Sequence, residues 1–219
     1  VGTTTLSGAN TYSGNTVVNS GATLKLGANS AVPMTSNLIL SGGTLDADGF
    51  GSAMNLLVVE SNSTIALGSN LHYLIFNNSS EEPWSGTLTI TGWMGAIDQM
   101  NPVGGHILVG SGGLSAEQLS QIVFQGYSGP AIILPSGELA PSGPVLALNP
   151  GSTDHGNACV GTAATTITYI LSNTGGDATD VSVVSDNPEF VVSNLSSTTV
   201  PFGGFVTYDV TFTPSAAGN

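Results

Sequence analysis

Basic side chains are almost missing from this chain of 219 residues: Lys25 stands alone against 14 acidic residues, for a net charge of −13. A nucleic-acid binder displaces phosphate counterions with Lys and Arg, so one lysine excludes that class. The same shortage excludes attraction to an anionic membrane surface. It also leaves trypsin a single site. Charged residues of both signs make up only 7% of the chain, against roughly 25% in ordinary soluble domains. Cysteine is nearly absent too. Cys159 has no partner, so there is no disulfide framework, and a small buried residue is its expected role. No apolar run is long enough to span a membrane, so direct insertion is not expected. Val1-Gly2-Thr3 reads like the middle of a strand and not like a signal peptide, so a segment cut from a longer protein is expected.

What is present suits strands and turns. Hydrophobic residues reach 40%, enough for a core, and Ser, Thr, Asn and Gly must supply the polar surface. From Thr3 to about Ala140 a small unit recurs, an apolar couplet followed by Gly, Asn or Ser. The couplets are Leu24/Leu26, Leu38/Leu40, Leu57/Val59, Ile65/Leu67, Leu74/Phe76, Leu88/Ile90 and Ile107/Val109. Each puts two apolar side chains on one strand face and turns the residue between them outward. Ser20-Gly21, Ser41-Gly42-Gly43, Asp48-Gly49 and Ser111-Gly112-Gly113 supply turns. A β-solenoid, a barrel or a sandwich all give short strands without crossover helices. The solenoid is favoured because the couplets keep one form for more than a hundred residues, as coils stacked on a common inner column would.

The run Thr3-Thr4-Thr5-Leu6-Ser7-Gly8-Ala9-Asn10-Thr11-Tyr12-Ser13-Gly14, continuing through Val17-Val18-Asn19-Ser20-Gly21-Ala22-Thr23-Leu24-Lys25-Leu26-Gly27, carries a family resemblance. It closely resembles the autotransporter-associated β-strand repeat, also called the passenger-associated transport repeat. That resemblance implies a large secreted bacterial surface protein built like a right-handed parallel β-helix. One clear copy is present, followed by degenerate coils. Trp84-Ser85-Gly86-Thr87-Leu88-Thr89-Ile90 and the stretch from Leu114 to Phe124 resemble the region that follows such repeats in secreted proteins with C-terminal sorting signals. Leu114 to Gln121 is the one expected helix: Ser115 and Gln118 make a capping box, and Leu119 and Ile122 share a face. A short helix there would cover the open end of the solenoid.

Beyond the stiff stretch Ala140-Pro141-Ser142-Gly143-Pro144 the texture changes. The alternating runs Thr166–Leu171, Val181–Val184, Phe190–Val192 and Val206–Phe212 fit an immunoglobulin-like sandwich. Ser172-Asn173-Thr174-Gly175 and Val210-Thr211-Phe212-Thr213-Pro214 resemble the choice-of-anchor D and HYDIN-type immunoglobulin-like domains. One or two further strands usually follow in that family. The expected organisation is therefore a solenoid over 1–140 and a sandwich over 145–219 that lacks its last strand.

Candidates for chemistry are few. Asp46-Ala47-Asp48-Gly49 is half of a calcium loop, with Leu57 where the loop needs an acid, so a turn is favoured. Asp154, His155 and Cys159 could donate to zinc but lack a second His or Cys at a useful spacing. His72 and His106 are read as outward strand residues and not general bases. Glu81 and Glu82 would point to opposite strand faces, so a solvated loop is favoured. No Gly-x-Ser-x-Gly elbow and no phosphate loop exists. Catalytic residues, cofactors and metal ligands are accordingly not expected. Trp84, Trp93 and Tyr127 form a candidate platform for sugars, with core packing the favoured alternative.

The leading expectation is a non-enzymatic structural and adhesive segment of a bacterial cell-surface protein, a rigid stalk or filament piece. Its partners would be copies of itself, other surface proteins, or glycans. A carbohydrate-binding module is the alternative, and a β-helix polysaccharide-degrading enzyme the third choice, disfavoured by the absence of Arg. A sandwich missing a strand would leave an open edge near Val206, Tyr208, Val210 and Phe212, able to accept a donor such as Thr3-Thr4-Thr5-Leu6.

Overall fold

The computed structural model describes residues 2–217 and divides the chain into two compact units, with the boundary between Ser142 and Gly143. The first unit begins with strands β1 (Gly2–Leu6), β2 (Thr16–Asn19), β3 (Ala22–Leu26), β4 (Leu38–Ser41), β5 (Thr44–Asp46) and β6 (Ser52–Ala53). It continues with β7 (Leu57–Ser61), β8 (Ser63–Ala66), β9 (His72–Ile75), β10 (Leu88–Thr91) and β11 (Gly105–Leu108). Helix α1 (Ala116–Ser120), strand β12 (Ile122–Phe124) and the hairpin β13 (Ala131–Ile133)–β14 (Leu139–Pro141) complete it.

These strands form three parallel sheets wound as a β-solenoid of about four turns. One sheet runs β1-β3-β5-β8-β10-β12, the second β2-β4-β7 and the third β6-β9-β11. Equivalent positions in neighbouring coils lie 20 to 22 residues apart through the first coils. The sequence explains the winding. Each couplet is too short to fold alone, and its two apolar side chains leave water only if the next coil lays its own couplet alongside. Both members of all seven couplets are buried. In-register pairing stacks Leu24, Leu45, Ile65, Ile90 and Phe124 into one inner ladder. A second ladder stacks Val18, Leu40 and Val59.

The expected helix forms, shortened to Ala116–Ser120, and its capping box is complete: Ser115 Oγ accepts from Gln118 N, and Gln118 Oε1 accepts from Ser115 N. It lies between β11 and β12, where buried Gln118 donates to the carbonyls of Ser79 and Glu82. The helix packs on β12, with Leu114 in the core and Leu119 against it, and the hairpin covers β11 and β12 as well, its Leu134, Leu139 and Ala140 joining the core.

The second unit contains one antiparallel sheet, ordered β15 (Leu146–Asn149), β16 (Thr166–Asn173), β18 (Phe205–Phe212), β17 (Phe190–Ser193). A single bridge, Ala178–Val200, pairs the segments outside it. Buried Asn173 organises one corner: its Oδ1 accepts from the N–H groups of Val145 and Gly175, and its Nδ2 donates to the carbonyls of Gly176 and Val200. This four-bond role explains the Asn in Ser172-Asn173-Thr174-Gly175.

The open edge expected at Val206–Phe212 is corrected at its Val210–Phe212 end. Strand β18 pairs with β16 over Phe205–Thr211 and with β17 over Asp209–Phe212, so Val210 and Phe212 have no free edge to offer a donor; on the β17 side of Val206 and Tyr208 no strand pairs, and Thr207 there exchanges hydrogen bonds with Ser196. Thr3, Thr4, Thr5 and Leu6 are likewise engaged, in β1, against Thr23 to Leu26 of β3.

Candidate functional site

The outer face of the third sheet gathers the most unusual polar chemistry of the first unit. Its strands pair in register, so outward side chains stack from coil to coil. Tyr73 of β9 meets His106 of β11, ring centroids 4.6 Å apart and planes 14° from parallel. His106 points outward, as expected, yet only 3% of it is exposed, because the segment before β11 and the residue preceding β14 close over it.

That residue is Glu138, fully buried in the turn before β14. Its Oε1 lies 2.9 Å from His106 Nδ1 and also accepts from the Asn101 backbone at 3.2 Å. Its Oε2 is buried without a hydrogen-bond partner. Asn101 in turn donates to the Gly105 carbonyl and accepts from the Gly104 N–H. A buried polar side chain is tolerated when it is hydrogen-bonded. Glu138 therefore fixes the His106 ring, and His106 fixes one face of Tyr73. Tyr73 itself keeps 44% of its surface exposed.

His72, the residue before Tyr73, does not point outward as expected. Alternation turns it inward with Leu74, and 4% of it is exposed. Its Nδ1 lies 2.8 Å from the Asn70 carbonyl, so Nδ1 carries the proton and Nε2 is left buried without a partner. Burial lowers its basicity; the Asn70 carbonyl opposes this, and His106 adds to the lowering. The imidazole fits because its ladder neighbour is Gly105, where a Cβ would stand 2.2 Å from His72 Cε1.

A groove of about 430 Å³ runs beside Tyr73 and borders a second of about 360 Å³ that reaches Tyr12; Ser30 and Ala53 line both. It exists because β6 is the first strand of its sheet. The earlier coils pass from the six-stranded sheet to β2 and β4 without a strand here, which leaves a step beside β6. No Asp, Glu, Lys or Arg lines either part.

The other candidates resolve as follows. Trp84 and Trp93 are 8% and 7% exposed and belong to the solenoid core, the reading favoured from the sequence over a sugar platform. Trp84 donates from its indole N–H to the Leu57 carbonyl. Trp93 meets Phe124 and Tyr127 edge to face, and the Tyr127 hydroxyl donates to the Gly95 carbonyl. Their size and dryness suit a core better than a wet surface. Asp46 and Asp48 form a turn gripped by Lys25, which reaches Asp48 at 2.9 Å and Asp46 at 3.8 Å. His155 bonds the Tyr169 hydroxyl, and Cys159 is exposed, not buried as expected. Among the described residues no three His, Cys, Asp or Glu side chains gather as a metal site, and no helix is long and apolar enough to cross a membrane.

Sequence reasoning missed Glu138. It sits 32 residues from His106, in a Ser-Gly-Glu turn that reads as solvated. The one available signal was an acid immediately before the buried Leu139-Ala140-Pro141 strand. No family model, curated protein or solved structure matches the chain.

Proposed function

We propose that this chain is a non-enzymatic structural and adhesive segment of a secreted bacterial cell-surface protein, a stalk whose solenoid is the spacer. The supporting observation is the in-register inner ladder from Leu24 to Phe124, wrapped in an exterior that is mostly uncharged and carries almost no basic side chain. A parallel stack of this kind is stiff, because each coil is hydrogen-bonded along its length to its neighbours. Its Thr-, Ser- and Asn-rich exterior with one Lys offers trypsin-like proteases a single site.

Two finer points belong to the same proposal. The winding is right-handed, in keeping with the strong preference of parallel crossovers. The opening coils belong to the autotransporter-associated repeat family, and the second unit is an immunoglobulin-like sandwich whose second sheet is begun by the Ala178–Val200 bridge.

Antibody raised against the chain tests the location. It should label intact producing cells, and brief protease treatment of those cells should remove the label. Labelling confined to permeabilised cells would overturn the proposal.

A further inference from the structure

The outward ladders of the third sheet change size abruptly. Along one, His106 and Tyr73 are followed by Gly51; along the other, Leu108 and Ile75 are followed by Ala53. Tyr73 is therefore stacked on His106 on one side and borders a glycine on the other. A Cβ on Gly51 would come within 2.8 Å of the Tyr73 carbonyl oxygen, which shows how closely the two coils approach. The aromatic ring stands at the edge of a step, braced from behind by the buried His106–Glu138 pair. A ring held this way loses little freedom when something stacks on its open side.

Beside the step runs the uncharged groove, and its two parts fall within the roughly 300–1,000 Å³ usual for ligand sites. Asn29 uses its Oδ1 on the Gly51 N–H, and Asn10 uses its Nδ2 on the Gly8 and Ala31 carbonyls. This leaves an amide donor on Asn29 and an amide acceptor on Asn10, both lining the groove. The Tyr12 ring, 37% exposed, stands at the far end with its hydroxyl hydrogen-bonded to Thr16.

We propose that this groove binds a neutral glycan chain, with a sugar ring stacked on the open side of Tyr73. The chemistry narrows the choice. A chain of net charge −13 repels an anionic polymer, and the groove presents no cation to hold one. It presents no carboxylate to attract a cationic one. An extended peptide would need the free edge of β6, but that edge is taken: the Gly51 carbonyl accepts from Ser30 N, the Gly51 N–H donates to Asn29, and Ser52 Oγ accepts from Val32 N. Aromatic faces flanked by neutral amides and hydroxyls match the alternating apolar faces and hydroxyl edges of pyranose rings.

The inference stands apart from the spacer proposal, which surface labelling tests by itself. Native affinity electrophoresis of the full chain tests this one, with hydroxyethylcellulose, galactomannan or dextran in the gel and polygalacturonate as the charged comparison. At least one neutral polymer should slow the chain, and polygalacturonate should not. Tyr73→Phe should keep the retardation, because the ring remains. Tyr73→Ala should weaken it about fivefold or more, and Ala53→Glu should abolish it by filling and charging the groove. Both positions lie on the outer face, and heat unfolding of each variant checks that the fold is kept. Should Tyr73→Ala fail to fold, Ala53→Glu decides. Absence of retardation in every neutral polymer, retardation that survives Ala53→Glu or a folded Tyr73→Ala, or slowing by polygalacturonate alone would overturn the inference.

Discussion

At the residue scale, His72 and Gly105 form one unit: the imidazole occupies the space that any other residue at position 105 would fill. Gly105→Ala should cost about 1–3 kcal/mol in urea unfolding, as overpacking of a tight core does. The double variant His72→Ala, Gly105→Ala should recover part of that loss, because the clash is removed with the ring. His72 also makes stability depend on pH. Burial holds its basicity below the ordinary value of 6.5, so the unfolded chain takes up a proton more readily than the folded one. Its contribution is therefore complete above 6.5 and is lost as pH falls from there through the lower folded value. The thermal midpoint should drop between about pH 7 and pH 5, and His72→Gln should flatten that part of the curve. Glu189, held below the usual range mainly by Ser215, and Asp209, held down by Asn194 and then Thr168, act only at lower pH. A midpoint as steep in His72→Gln as in the parent would assign the effect to another group.

At the scale of the element, the ladder rungs carry the solenoid. Leu45 is fully buried between Leu24 and Ile65, so Leu45→Ala should cost about 2–5 kcal/mol. Ser115→Ala removes only one capping bond, so about 1 kcal/mol is expected. Both elements were legible in the sequence because their signals are local. A couplet with an outward residue between, closed by a glycine turn, specifies strand and burial within five residues, and Ser115-to-Gln118 spacing specifies the helix start. What was not legible depends on pairing across the chain. The interior position of β18 at its Val210–Phe212 end follows from β17 joining its far side through Phe190–Phe212, which no local pattern encodes. For Trp84 and Trp93 core packing is favoured, but no period names their partners, which are the Leu57 carbonyl and the Phe124 ring. His72 and His106 differ by one step of strand alternation relative to their sheet, and that register is set by the neighbouring coil.

On the scale of the whole molecule, charge opposes the fold instead of building it. Fourteen acidic residues against Lys25 leave thirteen negative charges uncompensated. The lysine is already committed to Asp46 and Asp48 at a partly exposed site, where ion pairs contribute little. Self-repulsion is then the dominant long-range electrostatic effect, and it is relieved by expansion of the chain. Salt screens it: the Debye length falls from about 30 Å at 0.01 M to about 8 Å at 0.15 M. The thermal midpoint should therefore rise with sodium chloride over that range and level off beyond it. Chloride is the right choice, because sulfate would also strengthen apolar burial by exclusion from the surface. Lys25→Gln removes the single attractive partner and adds one more uncompensated charge, so its midpoint should climb more steeply with salt than the parent's. A parent midpoint that falls as salt is added would mean that the grip of Lys25 on Asp46 and Asp48 outweighs the repulsion among all the rest.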